Sequence, residues 1–439
     1  MIKKVVVLGG GISGLGAAIL AKKNHFNVFL SDNKEIIEEH KTILHKHQIT
    51  YEENNHNWDV ISKANEVIKS PGISDKIDIV QKIISQGIPV ISEIEFAYRY
   101  TNAKIAAITG SNGKTTTTLL LHHILIRAGY DVLMAGNIGI SLSAAIAERD
   151  YDYIVLEISS FQLDNIVSFR PEIAILLNIT ADHLNRYDYQ IDKYKSSKFR
   201  ITKYQINSDF LIYNIDDPLV KGIQTLAKKI PLSLNRKNQN GGYVINNEII
   251  INLNNKTMKI QELALQGKHN VFNSMAAAMA ARVFEVEDSV IRQSMIDFQN
   301  IEHRLEYVIT VHGIDFINDS KATNVNASWF ALESMTKDII WIVGGVDKGN
   351  DYSDLLTIAE EKVKAIICLG VNNKNIIDSF KGKVDVIIEA LNMHEAVRKS
   401  YSLANTGDVV LLSPACASFD LFVNYEERGL QFKQEVRKL

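Results

Sequence analysis

Two glycine-rich loops, each set between a strand-like apolar run and a helical pattern, constrain this chain more than any other feature. The first is G-G-G-I-S-G, Gly9–Gly14, after V-V-V-L at Val5–Leu8. The second is T-G-S-N-G-K-T-T, Thr109–Thr116, after A-K-I-A-A-I-T at Ala103–Thr109. A strand that runs through a glycine turn into a helix opens a βαβ unit, and two such openings call for two parallel sheets. At roughly 150 residues per domain, the 439-residue chain has room for a third unit.

The first loop matches G-x-G-x-x-G, and Asp32 ends the strand Asn27–Asp32 eighteen residues after Gly14. The glycines allow close backbone approach to a pyrophosphate, and the carboxylate suits a ribose hydroxyl. Nucleotide-diphosphate binding is predicted, without the identity of the nucleotide. The second loop departs from the strict Walker A pattern, because Ile108 stands where the first glycine belongs. Its physics still fits. Gly110, Ser111, Asn112 and Gly113 offer backbone N–H groups to phosphates, and Lys114 reaches the β/γ-phosphates. Thr115, followed by Thr116, brings a hydroxyl for Mg²⁺ to a helix N-terminus. A dehydrogenase needs only the first loop and a simple ATPase only the second, so two different phosphorylated ligands are expected.

Short strand-like runs alternate with helix-length segments along the whole chain, which predicts an α/β fold. Three domains on largely parallel sheets are expected: a Rossmann-like one over 1–100, a P-loop ATPase one over 101–300 and a Rossmann-like one over 301–439, with hinges near residues 100 and 300. The asparagine-rich stretch 235–256 reads as surface β-hairpins, with disorder as the alternative. Lys3 and Lys4 before Val5–Leu20 imitate a signal peptide, but five glycines in that stretch mark a loop. No transmembrane helix is expected. With 48 basic and 51 acidic side chains there is no charge footprint for nucleic acid or an anionic membrane. Two cysteines, Cys368 and Cys416, suit a reducing compartment. A soluble, cytoplasmic, monomeric enzyme is the expectation.

Glu157 closes the apolar strand Y-I-V-L-E, and His183 follows the next strand, Glu172–Asn178, by a few residues. Ligands lie beyond the carboxyl ends of parallel strands, so both could face one pocket. Lys198, in Y-K-S-S-K-F, reads from its spacing alone as a surface helix lysine.

A set of motifs occurs in order: T-G-S-N-G-K-T-T, G-N-I-G (Gly136–Gly139), L-E-I-S-S-F-Q-L (Leu156–Leu163), N-I-T-A-D-H-L-N-R-Y (Asn178–Tyr187), G-K-H-N-V-F-N (Gly267–Asn273), E-H-R-L-E (Glu302–Glu306), N-D-S-K-A-T-N (Asn318–Asn324) and S-P-A-C-A-S-F-D (Ser413–Asp420). Together they resemble the Mur ligases, most closely the members that add D-glutamate to UDP-N-acetylmuramoyl-L-alanine.

The resemblance implies cytoplasmic peptidoglycan-precursor synthesis, and with it cell-wall biogenesis, cell shape and cell division. ATP converts the substrate carboxylate to an acyl phosphate, which the amine of D-glutamate attacks. Two Mg²⁺ sites are implied, on Thr115, Glu157, His183 and Lys198, the last as a CO₂-derived carbamate. Lys114, Glu157, His183 and Lys198 form the implied catalytic set. ATP contacts fall on residues 110–116 and on Asn270, Asn273, Arg304 and Asp319. The uridine diphosphate falls on Ile12, Ser13, Asp32, Asn33 and Gly72, the last in S-P-G at Ser70–Gly72. Asn137, Ser159, Gln162 and His183 fall at the muramoyl-alanine. Lys321, Thr323, Lys348, Ser418, Phe419 and Tyr425 fall around D-glutamate. Ala181 and Asn185 depart from acidic positions of the family pattern, and Phe419 and Tyr425 vary an aliphatic and a phenylalanine position. Three rivals stand beside this reading: another Mur ligase specificity, an NAD-dependent oxidoreductase supported only by the first loop, and a non-catalytic ATP-gated switch.

Overall fold

A computed structural model describes residues 3–138, 140–237, 240–246, 248–253, 256–260, 263–265, 267–298, 302–347 and 349–439, apart from the side chains of residues 185, 256 and 326. Among the described residues the strands form three sheets. The first holds β1 (Lys4–Leu8), β2 (Asn27–Ser31), β3 (Thr50–Glu52), β4 (Glu66–Lys69) and β5 (Val90–Ser92), all parallel, in the order β3-β2-β1-β4-β5. The run V-V-V-L is buried on both faces, as a central parallel strand requires. The chain order reverses between β1 and β4, which places the first glycine loop at a topological switch point.

The second sheet holds β6 (Lys104–Thr109), β7 (Val132–Gly136), β8 (Tyr153–Glu157), β9 (Ile173–Leu176), β10 (Phe210–Asn214), β11 (Lys228–Ser233), β12 (Gly241–Ile245), β13 (Glu248–Leu253) and β14 (Lys256–Ile260). Its order is β14-β13-β12-β11-β10-β9-β6-β8-β7. The pairings from β7 through β12 are parallel; β12–β13 and β13–β14 are antiparallel. The asparagine-rich stretch is therefore two hairpins that extend one edge of this sheet. The third sheet holds β15 (Glu306–Val311), β16 (Ile314–Asn318), β17 (Ile339–Val343), β18 (Val363–Leu369), β19 (Val386–Ala390) and β20 (Val409–Leu412), in the order β15-β16-β20-β17-β18-β19. It is parallel except for the β15–β16 pair.

By packing, residues 1–263 and 272–297 form one compact unit, and residues 264–271 and 298–439 a second. The first unit carries the first two sheets, and one continuous apolar core runs from Val5, Val7 and Leu30 to Ile105, Leu156 and Leu176. Two buried glutamates of the helix Glu93–Tyr98 hold the sheets together. Glu93 accepts from the Ser141 hydroxyl at 2.8 Å and the Ser143 N–H at 2.6 Å. Glu95 accepts from the N–H groups of Val167, Ser168 and Phe169, each at 2.9 Å, and from the Ser168 hydroxyl at 2.6 Å. Around residue 100 the two sheets share this packed joint. Removing either carboxylate would strand buried donors.

Candidate active site

Each glycine loop sits at the carboxyl end of an interior strand of its sheet, β1 in the first and β6 in the second. In the first, both peptides flanking Gly10 are held: its N–H donates to Asp32 Oδ2 at 2.6 Å, and its carbonyl accepts from His40 Nδ1 at 2.8 Å. Asp32 Oδ1 accepts from the Lys34 N–H at 2.9 Å, so one carboxylate oxygen serves the glycine loop and the other the turn after β2. Asn33 is exposed beside it, Ile12 is 66% exposed, and Ser13 is half-buried on the first turn of the helix Ile12–Lys23.

The S-P-G segment lies next to this loop, with Ser70 N–H donating to the Leu8 carbonyl at 3.0 Å. Arg186 holds its backbone from behind, donating to the carbonyls of Gly72, Pro71 and Ile73 at 3.1, 3.2 and 3.3 Å. Buried Lys69 adds a bond to the Ile73 carbonyl at 2.7 Å. Gly72 itself is exposed and has open space where a Cβ would stand.

The second loop is braced by Asn178, which accepts from the Asn112 N–H at 2.8 Å and donates to the Asn112 carbonyl at 3.1 Å. Ser111 is locked to Thr180 in both directions at 2.9 Å. Gly113 has φ +84°, and a Cβ there would stand 2.3 Å from Asn273 Oδ1, so the loop needs glycine for conformation and for space. Lys114 Nζ donates to the carbonyls of Gly110 and Ser111, both at 2.9 Å. Thr115 and Thr116 are buried at the start of the helix Lys114–Arg127.

Glu157 pairs in register with Ile108 on the neighbouring strand, which brings it to the mouth of this loop. It is buried; Oε1 accepts from Asn137 Nδ2 at 2.9 Å, while Oε2 has no hydrogen-bond partner among the described residues. Lys198 is also buried, at 1% exposure, and donates to the Gly110 carbonyl at 2.8 Å. The surface reading of this lysine is overturned: the helix Ile191–Phe199 turns Tyr194, Ser197 and Lys198 inward. Burial, reinforced by Lys114, pushes the Lys198 pKa well below the usual lysine value, against the pull of Asp182, Asp164 and Glu157. His183 has left-handed backbone, φ +53°, with its ring edge-on to Phe161 at 5.2 Å and its Nε2 3.7 Å from Asp182 Oδ2. Ser159 and Gln162 are bonded to each other as a capping box on the helix Ser160–Asp164.

These residues fit Mg²⁺, a hard cation that takes oxygen ligands and is completed by water and substrate phosphates. A buried carboxylate with one unpartnered oxygen and a threonine at the end of a phosphate loop supply oxygen donors. Among the described residues no cluster of three or more His, Cys, Asp or Glu forms a cage. Lys198 as an amine has no acceptor and could join only as a carbamate.

In the second unit, Asp319 is buried; Oδ2 accepts from the Ser413 hydroxyl at 2.9 Å and Oδ1 from the Leu305 N–H at 3.2 Å. Burial lifts its pKa to about 7, against the opposing charge of Arg304. Arg304 Nε is buried without a partner among the described residues. Lys321 lies over the Tyr425 ring at 5.1 Å, Thr323 is half-buried, Ser418 is buried and Phe419 is 72% exposed. Asn270 is half-buried on the helix Lys268–Val283. Lys348 lies outside the described residues. The sequence reading passed over Arg428, which is buried and donates to the Ser320 carbonyl at 2.8 Å and the Cys416 carbonyl at 3.2 Å, tying two loops together. It also passed over Asn178, Arg186 and His40. The first two stand inside a quoted motif, which was the available signal; His40 stands in none.

Three family descriptions match the chain in order: MurD N-terminal domain over 4–79, Mur ligase middle domain over 108–281, and Mur ligase glutamate ligase domain over 303–416. The UDP-N-acetylmuramoylalanine--D-glutamate ligase of Christiangramia forsetii is 51% identical over 100% of both chains. The enzyme of the same name from Porphyromonas gingivalis is 48% identical, covering 99% of this chain and 98% of its own. Among solved structures, UDP-N-acetylmuramate-alanine ligase MurC from Thermotoga maritima shares the fold, with a TM-score of 0.63 at 18% identity over 100% of both chains. A pseudomurein peptide ligase type C from Methanothermus fervidus does so with a TM-score of 0.63 at 19% identity over 99% of both. No described helix is long and apolar enough to cross a membrane.

Proposed function

The chain belongs to the Mur ligase family, and from that premise we infer how its own residues join D-glutamate to UDP-N-acetylmuramoyl-L-alanine. It is an ATP-dependent ligase of peptidoglycan synthesis. We place the reaction in the cytoplasm, at a step that cell shape and division depend on, and take the enzyme to act as a monomer.

Carboxylates are poor acyl donors, so the alanine carboxylate must first gain a leaving group. One of its oxygens attacks the γ-phosphorus of ATP, the bond to the β-phosphate oxygen breaks, and ADP leaves. The amine of D-glutamate then attacks the acyl carbon and loses its proton. The C–O bond to phosphate breaks, and phosphate departs with the carboxylate oxygen. Little covalent chemistry falls to the protein, which positions the reactants and stabilises charge.

In this reading residues 110–113 hold the ATP phosphates with backbone N–H groups. Lys114, already turned over that loop, shifts from the Gly110 and Ser111 carbonyls to the phosphates. Thr115 and Glu157 would hold one Mg²⁺, and His183 with carbamylated Lys198 a second, and ions held there would supply neutralisation of phosphate charge. Asn137 fixes the Glu157 carboxylate. Ile12, Ser13, Asp32, Asn33 and Gly72 hold the uridine diphosphate, and Ser159, Gln162 and His183 the muramoyl-alanine. Ser159 and Gln162 serve mainly by shaping the first turn of their helix, since each already binds the other. Asn270, Asn273, Arg304 and Asp319 contact nucleotide. Lys321, Thr323, Lys348, Ser418, Phe419 and Tyr425 receive D-glutamate.

The observation that supports this most is the convergence of Glu157, with its unpartnered oxygen, and buried Lys198 on the phosphate loop. Substrate carrying heavy oxygen in the alanine carboxylate tests the chemistry. One labelled oxygen should appear in the released phosphate. Unlabelled phosphate would rule out the acyl phosphate.

A further inference from the structure

The first glycine loop depends on a histidine outside every motif of the chain. His40 stands on the first turn of the helix Glu38–Lys46, and its Nδ1 lies 2.8 Å from the Gly10 carbonyl. A carbonyl only accepts, so Nδ1 carries the hydrogen. The other side of Gly10 is held by Asp32, through the Gly10 N–H at 2.6 Å. The segment between these two side chains is itself fixed. Ile36 packs against Gly10, where a Cβ would stand 2.8 Å from Ile36 Cγ1. The Ile36 N–H donates to Glu53 Oε2 at 2.9 Å, and Lys41 pairs with Glu53 at 3.1 Å.

A trans peptide is planar, with its C=O and N–H pointing in opposite directions. By holding the Gly10 carbonyl, His40 therefore aims the Gly11 N–H away from itself. Gly11 is exposed, has open space where a Cβ would stand, and begins the helix Ile12–Lys23, whose first turn has no side-chain cap. Were this peptide to flip, a carbonyl oxygen would face the site, and it would repel a diphosphate.

We propose that His40 is a positioning residue for the uridine diphosphate: it fixes the Gly10–Gly11 peptide so that N–H, and not C=O, is offered to the phosphates. The inference rests on the reading that the diphosphate lies on this loop.

The test compares His40→Leu, which has no donor, with His40→Asn, whose amide nitrogen stands near the place of Nδ1. Kd for UDP and KM for the UDP substrate, ATP and D-glutamate are measured with kcat and the thermal midpoint. With the loss of one orienting hydrogen bond, His40→Leu should raise the UDP Kd and the UDP-substrate KM about tenfold. Its kcat and other KM values should stay within about twofold, and His40→Asn should recover most of the loss. An unchanged UDP Kd in His40→Leu overturns the proposal. So does a His40→Asn variant as impaired as His40→Leu, because packing and not the donor would then be responsible. Equal damage to kcat, the ATP KM and the thermal midpoint also overturns it. Failure of the underlying site reading looks different: the wild-type chain itself would bind no UDP, and the proposal would fall with it.

Discussion

Lys198 donates from Nζ to the Gly110 carbonyl at 2.8 Å, so the lysine is tied to the first residue of the phosphate loop. A carbamate nitrogen keeps one hydrogen, and this bond can therefore survive CO₂ addition and orient the new carboxylate. The buried, readily neutral amine is the form that reacts with CO₂. Lys198→Ala should lose at least about 100-fold in kcat, as removal of a charge-stabilising group does. A short-chain carboxylic acid should restore part of it by filling the carbamate's place. Lys198→Arg should not respond, because its guanidinium stays charged. Near-full activity of Lys198→Ala in CO₂-depleted buffer would remove this residue from the metal site.

Lys114 serves the other ligand. Lys114→Ala should cut turnover by about 100- to 1,000-fold, the cost of one lost charge stabiliser. Calorimetry should still find the UDP substrate bound with near wild-type affinity, because the first loop lies on a separate sheet. Equal losses of affinity and rate would contradict two separate phosphate sites.

The joint between the first two sheets has its own signature. Glu95→Ala strands the buried N–H of Phe169, at about 1–3 kcal/mol, and frees the part-buried N–H groups of Val167 and Ser168. Denaturant unfolding should show a loss of about 2 kcal/mol or more, and hydrogen exchange should open β1 and β6 together. A loss below about 1 kcal/mol would mean that the joint is soft.

Asp319 makes stability depend on pH. Its folded pKa is about 7 against an ordinary 3.8, so between those values the folded chain keeps a proton that the unfolded chain has lost. Its contribution is intact below the lower value and fades as pH rises through the upper one. Asp319→Asn removes this slope, which is worth about 1.4 kcal/mol for each pH step between the two values. The variant should therefore gain on the wild type from acidic to neutral pH, by a few kcal/mol at most, while losing activity. A difference in melting temperature that does not change with pH would contradict the assignment.

What the sequence made legible follows from where the signals lie. V-V-V-L and A-K-I-A-A-I-T are buried strands, and the glycines after them mark tight turns into helices, so both loops were readable. The asparagine-rich stretch could be read as hairpins because short apolar runs, Tyr243–Ile245 and Ile249–Ile251, are separated by turn-favouring asparagines. Edge strands such as β15 and β7 were missed, since their pattern depends on the neighbour they pair with. Lys198 read as solvent-facing because spacing does not tell which face of a nine-residue helix meets a loop about ninety residues away in sequence. Glu93 and Glu95 stand in no motif, and only the packing of 141–143 and 167–169 against them explains their burial. His40 and Arg186 act on backbone carbonyls, which no residue pattern records.

Phosphate release in the presence of ATP and Mg²⁺, with substrates added one at a time, tests the assigned reaction as a whole. Release is predicted only when UDP-N-acetylmuramoyl-L-alanine and D-glutamate are both present, one phosphate per amide formed, with L-alanine or a diamino acid unable to replace D-glutamate. Release without an amino acid, or equal release with any of them, would contradict it.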